Sequence, residues 1–153
     1  MVLIDSNALI ILLLGIMDKK LINTHKTTSI YEIADFENLV NFIGDLSKLL
    51  VIPNVWTEVD NLLNSFSGTY RYKYLQAIKQ IIVETSEKYL ESQSIILHYN
   101  FEQVGLTDSI LIEIGKECDC LITSDSLLSD LARANGILIY DMIERRNKRL
   151  YKN

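Results

Sequence analysis

Asp5, Glu58, Asp108 and Asp125 are four acids spread along the chain, each just after an apolar run or in the opening turns of an expected helix. Carboxylates gathered in one place repel one another unless a divalent cation neutralises them. Brought to one edge of a parallel sheet, these four would make a site for Mg²⁺ or Mn²⁺, because hard oxygen donors select hard ions. The chemistry expected there is hydrolysis of a phosphodiester, with a bound water made acidic by the metal. Taken singly, an Asp near a helix start also serves as a cap. The joint pattern carries the inference.

The elements that must position these acids follow from apolar runs and helical periods. Val2, Leu3 and Ile4 suit a buried parallel strand, and residues 7–14 read as a helix ending at Gly15. Residues 18–28 read as a loop. Ser29 and Glu32 have capping-box spacing, and Ile33, Phe36, Leu39, Val40, Ile43 and Leu46 recur at helical period. Residues 50–52 form the second expected strand, and Pro53 opens the next helix. Residues 65–69 break the chain before a helix from Tyr70 to about Leu90, with Tyr74, Ile78, Ile81 and Ile82 facing inward. Residues 95–97 are a candidate strand. Thr107 caps a helix to Lys116, residues 120–123 form a strand, and a helix runs to Ala134 before Gly136. A last strand, 137–140, lies at the sheet margin.

Strands alternating with helices predict a three-layer α/β/α domain with a central parallel sheet. In such sheets the ligand crevice lies at the carboxyl ends of the strands. Asp5 and Asp125 follow the first strand and the 120–123 strand. Glu58 lies on the helix leaving the second strand, and Asp108 opens a helix aimed at the same edge if the crossover is right-handed.

Composition narrows the class. The chain has 153 residues, 48% hydrophobic, with one Pro and six Gly, which fits one compact domain over 1–153 and excludes a disordered protein. Cys118 and Cys120 are too few for a disulfide framework and lack His or Cys partners at zinc spacing, so a reducing, cytoplasmic setting is expected. No apolar run reaches the roughly 20 residues of a membrane span. Residues 144–153 hold five basic side chains and Glu144, a balance of +4, which leaves −9 of the total −5 on residues 1–143. An acidic body holds nucleic acid poorly by charge alone. Bound metal and the basic tail, with Arg145, Arg146, Lys148 and Arg149, would offset that; a solvated last helix is the plainer reading.

The segments VLIDSNALI, VWTEV, GLTDSILIEIGKECDCLITSDSLLSDLA and GILIY, in that order, resemble the PIN-domain nucleases over residues 1–141. The resemblance implies a PIN-like fold and a metal-dependent endoribonuclease acting on single-stranded RNA. It puts the metal-binding acids at Asp5, Glu58, Asp108 and Asp125, with Asn7 and Thr123 as small polar positions beside them. Asp5 and Asp108 are the expected direct ligands, and Asp125 and Glu58 hold a second ion or coordinate and deprotonate the water. One or two ions, Mg²⁺ or Mn²⁺, remain open. A toxin-type or RNA-processing role is implied, with a cognate antitoxin or a second copy as partner. The 18–49 segment is longer than in the VapC-like toxin branch, and position 6 is Ser where many members carry Thr.

Rival readings are a non-catalytic PIN-like binding or assembly module, and a phosphoryl-transfer enzyme with Asp5 as nucleophile. The second needs another Asp two residues on, where this chain has Asn7. Asp130 and Asp141 are secondary acids, and Asp60 is expected at the surface. Residues 70–74, YRYKY, interleave aromatics and bases, but alternate helix positions face different ways. Trp56 is expected to anchor the core.

Overall fold

In a computed structural model describing residues 1–151, the apolar runs at 2–4, 50–52 and 120–123 lie in the core, but the 95–97 run does not, and some elements start or stop elsewhere. Strand β1 spans Val2–Ile4, followed by helices α1 (Ser6–Met17), α2 (Leu21–Thr24) and α3 (Ile33–Ile43). A 3-10 turn, Leu46–Lys48, leads to β2 (Leu49–Val51), α4 (Pro53–Leu63), α5 (Gly68–Glu84) and β3 (Ser86–Glu87). Then come α6 (Ser92–Ile95), α7 (Phe101–Gly115), β4 (Cys120–Thr123), α8 (Ser126–Ala134), β5 (Ile139–Asp141) and α9 (Met142–Tyr151). No helix among the described residues is long and apolar enough to cross a membrane.

All strand pairings are parallel, in the order β3-β2-β1-β4-β5. Leu3 sits opposite Leu50 and Leu121, and Ile122 sits between Ile4 and Tyr140. Parallel strands covered on both faces need apolar side chains on both, and Leu3, Ile4, Leu49, Val51, Leu121 and Ile122 are all fully buried. The α/β/α layering follows. One helix cluster centres on α1, which packs against α2, α3, α4 and α5; in the other, α7 packs against α6 and α8.

Helix α1 is buried all round from Ala8 to Gly15, as a helix wedged between a sheet and other helices must be. Gly15 does not end it. The helix continues to Met17, and a Cβ at Gly15 would stand 2.2 Å from the Phe36 ring. Glycine there serves close packing of α3 on α1.

The α3 cap also differs from expectation. Glu32 is the N-cap, and it forms a reciprocal capping box with Asp35 rather than with Ser29. Pro53 does occupy the first turn of α4. On α5, Tyr74, Ala77, Ile78 and Ile81 are buried while Ile82 is exposed, and the helix stops at Glu84. The chain then places two exposed polar residues in edge strand β3, and residues 95–97, the candidate strand, do not form one: Ile95 ends a helical turn from Ser92 and residues 96 and 97 lie in a turn. Trp56 packs partly buried against the core.

The basic C-terminal segment is a helix docked on α3. Arg149 grips Asp35 bidentately, Nε to Oδ1 and Nη2 to Oδ2 at 3.0 Å each, and reaches Glu32 at 2.9 Å. Arg146 Nε donates to the Ile30 carbonyl at 2.6 Å. These two cations are thus tied to the fold.

Candidate functional site

Strand order decides where a crevice can open. From β1 the chain moves outward to β2 and β3, then returns to place β4 on the other side of β1 and β5 beyond it. The carboxyl ends of β1 and β4 therefore flank the switch point, where helices diverge and leave room for a ligand. Asp5 follows β1, Thr123 ends β4, and Asp125 lies two residues on.

Asp5 is buried, 4% exposed, and both of its oxygens accept hydrogen bonds. Oδ1 accepts the Ala8 N–H at 2.8 Å, capping α1. Oδ2 accepts the Thr123 hydroxyl and, at 3.3 Å, the Ser124 N–H. Burial pushes this carboxyl up to about 6; the bonds from Thr123, Ala8 and Ser124 oppose the rise, and the charge of Asp125 adds to it. Thr123 in turn accepts the Asp125 N–H at 3.0 Å. Asp125 caps α8 by accepting the Leu128 N–H at 2.8 Å, and it is exposed.

For Asp5 and Asp125, capping alone explains an Asp at the position. It does not explain the other two acids. Asp108 lies on α7 three residues past Gly105, whose φ of 77° and ψ of −170° break the helix. Thr107 does not cap there; its hydroxyl donates to Glu58 Oε1 of α4 at 2.7 Å. Asp108 accepts no hydrogen bond from the described side chains and is half-buried. Burial first, then the charges of Asp125, Asp5 and Glu58, push its carboxyl up to about 7. All three other acids therefore act on Asp108, and no cation among the described residues opposes them.

An open groove of about 310 Å³ runs beside Glu58, lined by Pro53, Asn54, Thr57 and Thr107. Asn7 is exposed in the first turn of α1, next to Asp5 in sequence. Tyr31 contributes a buried hydroxyl without a hydrogen-bond partner; burial pushes it up to about 12, with Asp5 and Asp141 adding to the rise and nearby Ser124 opposing it. Tyr31, Ser124 and Thr107 were not singled out as site residues by the sequence. Thr107 and Ser124 each adjoin one of the acids, which is the only signal that marks them.

The secondary acids have other work. Asp141 accepts the Ser129 hydroxyl at 3.0 Å and the Glu144 N–H at 2.9 Å. Asp130 is exposed beside Arg133, and Asp60 is exposed and accepts the Tyr74 hydroxyl. The Tyr70–Tyr74 stretch splits, with Tyr74 buried and Tyr72 exposed.

As a donor set the four acids suit a hard divalent cation in charge and atom type. Asp108 supplies a carboxylate free of other duties. The side chains are not drawn into a cage, however: among the described residues no three His, Cys, Asp or Glu groups converge closely enough to hold an ion. A cation there would have to draw them inward. No protein-family model matches the chain, and no curated protein matches it.

Proposed function

We propose that this chain is a Mg²⁺- or Mn²⁺-dependent endoribonuclease of the PIN-like kind. One observation carries the reading: Asp108, half-buried and accepting no hydrogen bond from the described residues, feels the charges of Asp125, Asp5 and Glu58, each on an element that begins at the carboxyl edge of the sheet. A purely structural acid would be expected to cap, pair or face water. The resemblance of the four acid-bearing segments to PIN nucleases supplies the substrate class, RNA. It also supplies the biological settings that belong to the proposal: a toxin with a cognate antitoxin, or an RNA-processing enzyme, each in the cytoplasm and each open to self-pairing.

Asp5, Asp108 and Asp125 would hold the ion, with Glu58 beside them. When bound, the ion supplies Lewis acidity and a water of lowered pKa. The chain's own residues do the rest. Thr123 and Ser124 hold the Asp5 carboxylate in place through Oδ2. Thr107 holds Glu58 at the groove, positioned to take the proton of the attacking water. Water oxygen then bonds to phosphorus as the ester P–O bond breaks, and the departing oxygen takes up a proton.

The test is cleavage of single-stranded RNA by purified protein in Mn²⁺, its arrest by EDTA, and its loss in Asp5→Asn, Asp108→Asn and Asp125→Asn. Near wild-type cleavage by any folded variant removes that residue from the site. The second reading is a non-catalytic binding or assembly module; among the described residues no three acids converge into a cage. Absence of cleavage across metals and RNA lengths would select it.

A further inference from the structure

Helix α9 leaves edge strand β5 and crosses α3, and a cavity of about 410 Å³ lies between the three elements. Its walls are Asn38 and Phe42 of α3, Tyr140 of β5, and Arg145, Lys148 and Arg149 of α9. The Tyr140 ring is buried, with the Phe42 ring 4.2 Å from it and the Arg145 guanidinium 4.6 Å from its centroid. Phe42 itself is 41% exposed, so this aromatic stack ends in an open face.

The cations are not equivalent. Arg149 is committed to Asp35 and Glu32. Lys148 pairs with Glu144 on the exposed helix surface, a contact that costs little to exchange. Arg145 is exposed, and among the described residues its side chain pairs with no carboxylate, only with the Tyr140 ring. Packing on Tyr140 accounts for one side of Phe42 and Arg145, but not for the exposed part of Phe42, an unpaired guanidinium, a second exchangeable cation and an exposed Asn amide lining one cavity. They match the parts of a nucleotide: a π-face to stack, a phosphate for Arg and Lys, and a base edge for an amide with both donor and acceptor.

We propose that this cavity binds one nucleotide unit of single-stranded RNA, its base on Phe42 and its phosphate on Arg145 and Lys148. Strand β5, which supplies Tyr140 to the cavity, lies two places from β1, roughly 10 Å across the sheet at ordinary strand spacing. The choice of RNA rests on the ribonuclease reading; the binding itself uses none of the four acids.

The experiment is anisotropy of a labelled single-stranded RNA in EDTA, at several salt concentrations, with full-length protein. Phe42→Leu should weaken binding roughly 5-fold or more, the scale of one lost base stack. Arg145→Gln should weaken it and lower the salt slope by about 0.7, one phosphate contact on a single strand. Arg145 is exposed, so its variant keeps the test intact if Phe42→Leu fails to fold. Unchanged affinity and slope in Arg145→Gln overturn the site, whether or not the wild type cleaves RNA in Mn²⁺. Loss of binding in these variants from a wild type that never cleaves upholds the site and removes only the nuclease reading. A free mononucleotide binding as tightly as the strand would overturn the strand in favour of a small nucleotide ligand.

Discussion

The Thr123 hydroxyl donates to the buried Asp5 carboxylate, linking residues 118 positions apart across the β1–β4 pair. The same oxygen accepts the Asp125 N–H at 3.0 Å. One hydroxyl thus orients one acid and fixes the backbone of another.

Thr123→Val keeps the shape and removes both bonds, leaving Asp5 short of a donor in a dry setting. A stability loss of about 1–3 kcal/mol is expected by urea unfolding, with Thr123→Ser recovering most of it. Equal stability of the Val and Ser variants would sink the assignment.

Stability should depend on pH in an unusual direction for acids. Asp5 at about 6 and Asp108 at about 7 lie above the ordinary value of 3.8. Between about pH 4 and 7 the folded chain holds protons that the unfolded chain has released. Their contribution is therefore full below pH 4 and is lost as pH rises towards 7. Asp108→Asn should flatten this slope in metal-free buffer. A slope identical to wild type would show that Asp108 is not a source of it.

Divalent ion should act against the same repulsion. Millimolar Mn²⁺ is expected to raise the melting temperature of the wild type, by mass action on the folded state. The Asp5→Asn/Asp108→Asn variant should show no shift. Equal shifts in both proteins would place the ion elsewhere.

Arg149→Leu should be among the most damaging changes far from the acid edge. Asp35 is 5% exposed, and losing its bidentate partner leaves a buried charge with only the Glu32 N–H bonded to it, at a cost of about 3 kcal/mol. Adding Asp35→Leu should recover much of that in a double-mutant cycle. For the same reason, truncation after Ile143 tests folding before it tests RNA binding, because it strips the cover from α3.

Much of the fold was legible because signals agreed. At β1 and β4 an apolar run is followed by an acid that caps the next helix, so strand, boundary and helix are marked together. Strand β3 carried no signal: Ser86 and Glu87 are polar, exposed and held by backbone pairing to β2. Gly15 misled because a glycine after an apolar helix reads as a stop, whereas here the missing Cβ admits Phe36. Ile95, Ile96 and Leu97 look like a strand, yet only Ile95 is buried. At the candidate site, the acids were visible as residue types beside element ends. The Thr107–Glu58 bond was not, because residues 49 positions apart meet only through the packing of α7 near α4. The basic segment misled in another way: charge reads as availability, and only contacts reveal that Arg146 and Arg149 are already occupied.

The order β3-β2-β1-β4-β5 has a consequence for how the chain can be divided. A cut in the turn at residues 98–100 leaves one piece with β1, β2 and β3 and the other with β4 and β5. The first piece carries Asp5 and Glu58, the second Asp108 and Asp125, so each holds half of the acid set. Each also presents a bare interior edge, β1 or β4, that is complementary to the other. Fused to two proteins that meet, the halves should rejoin along that seam and regain the fold only when brought together.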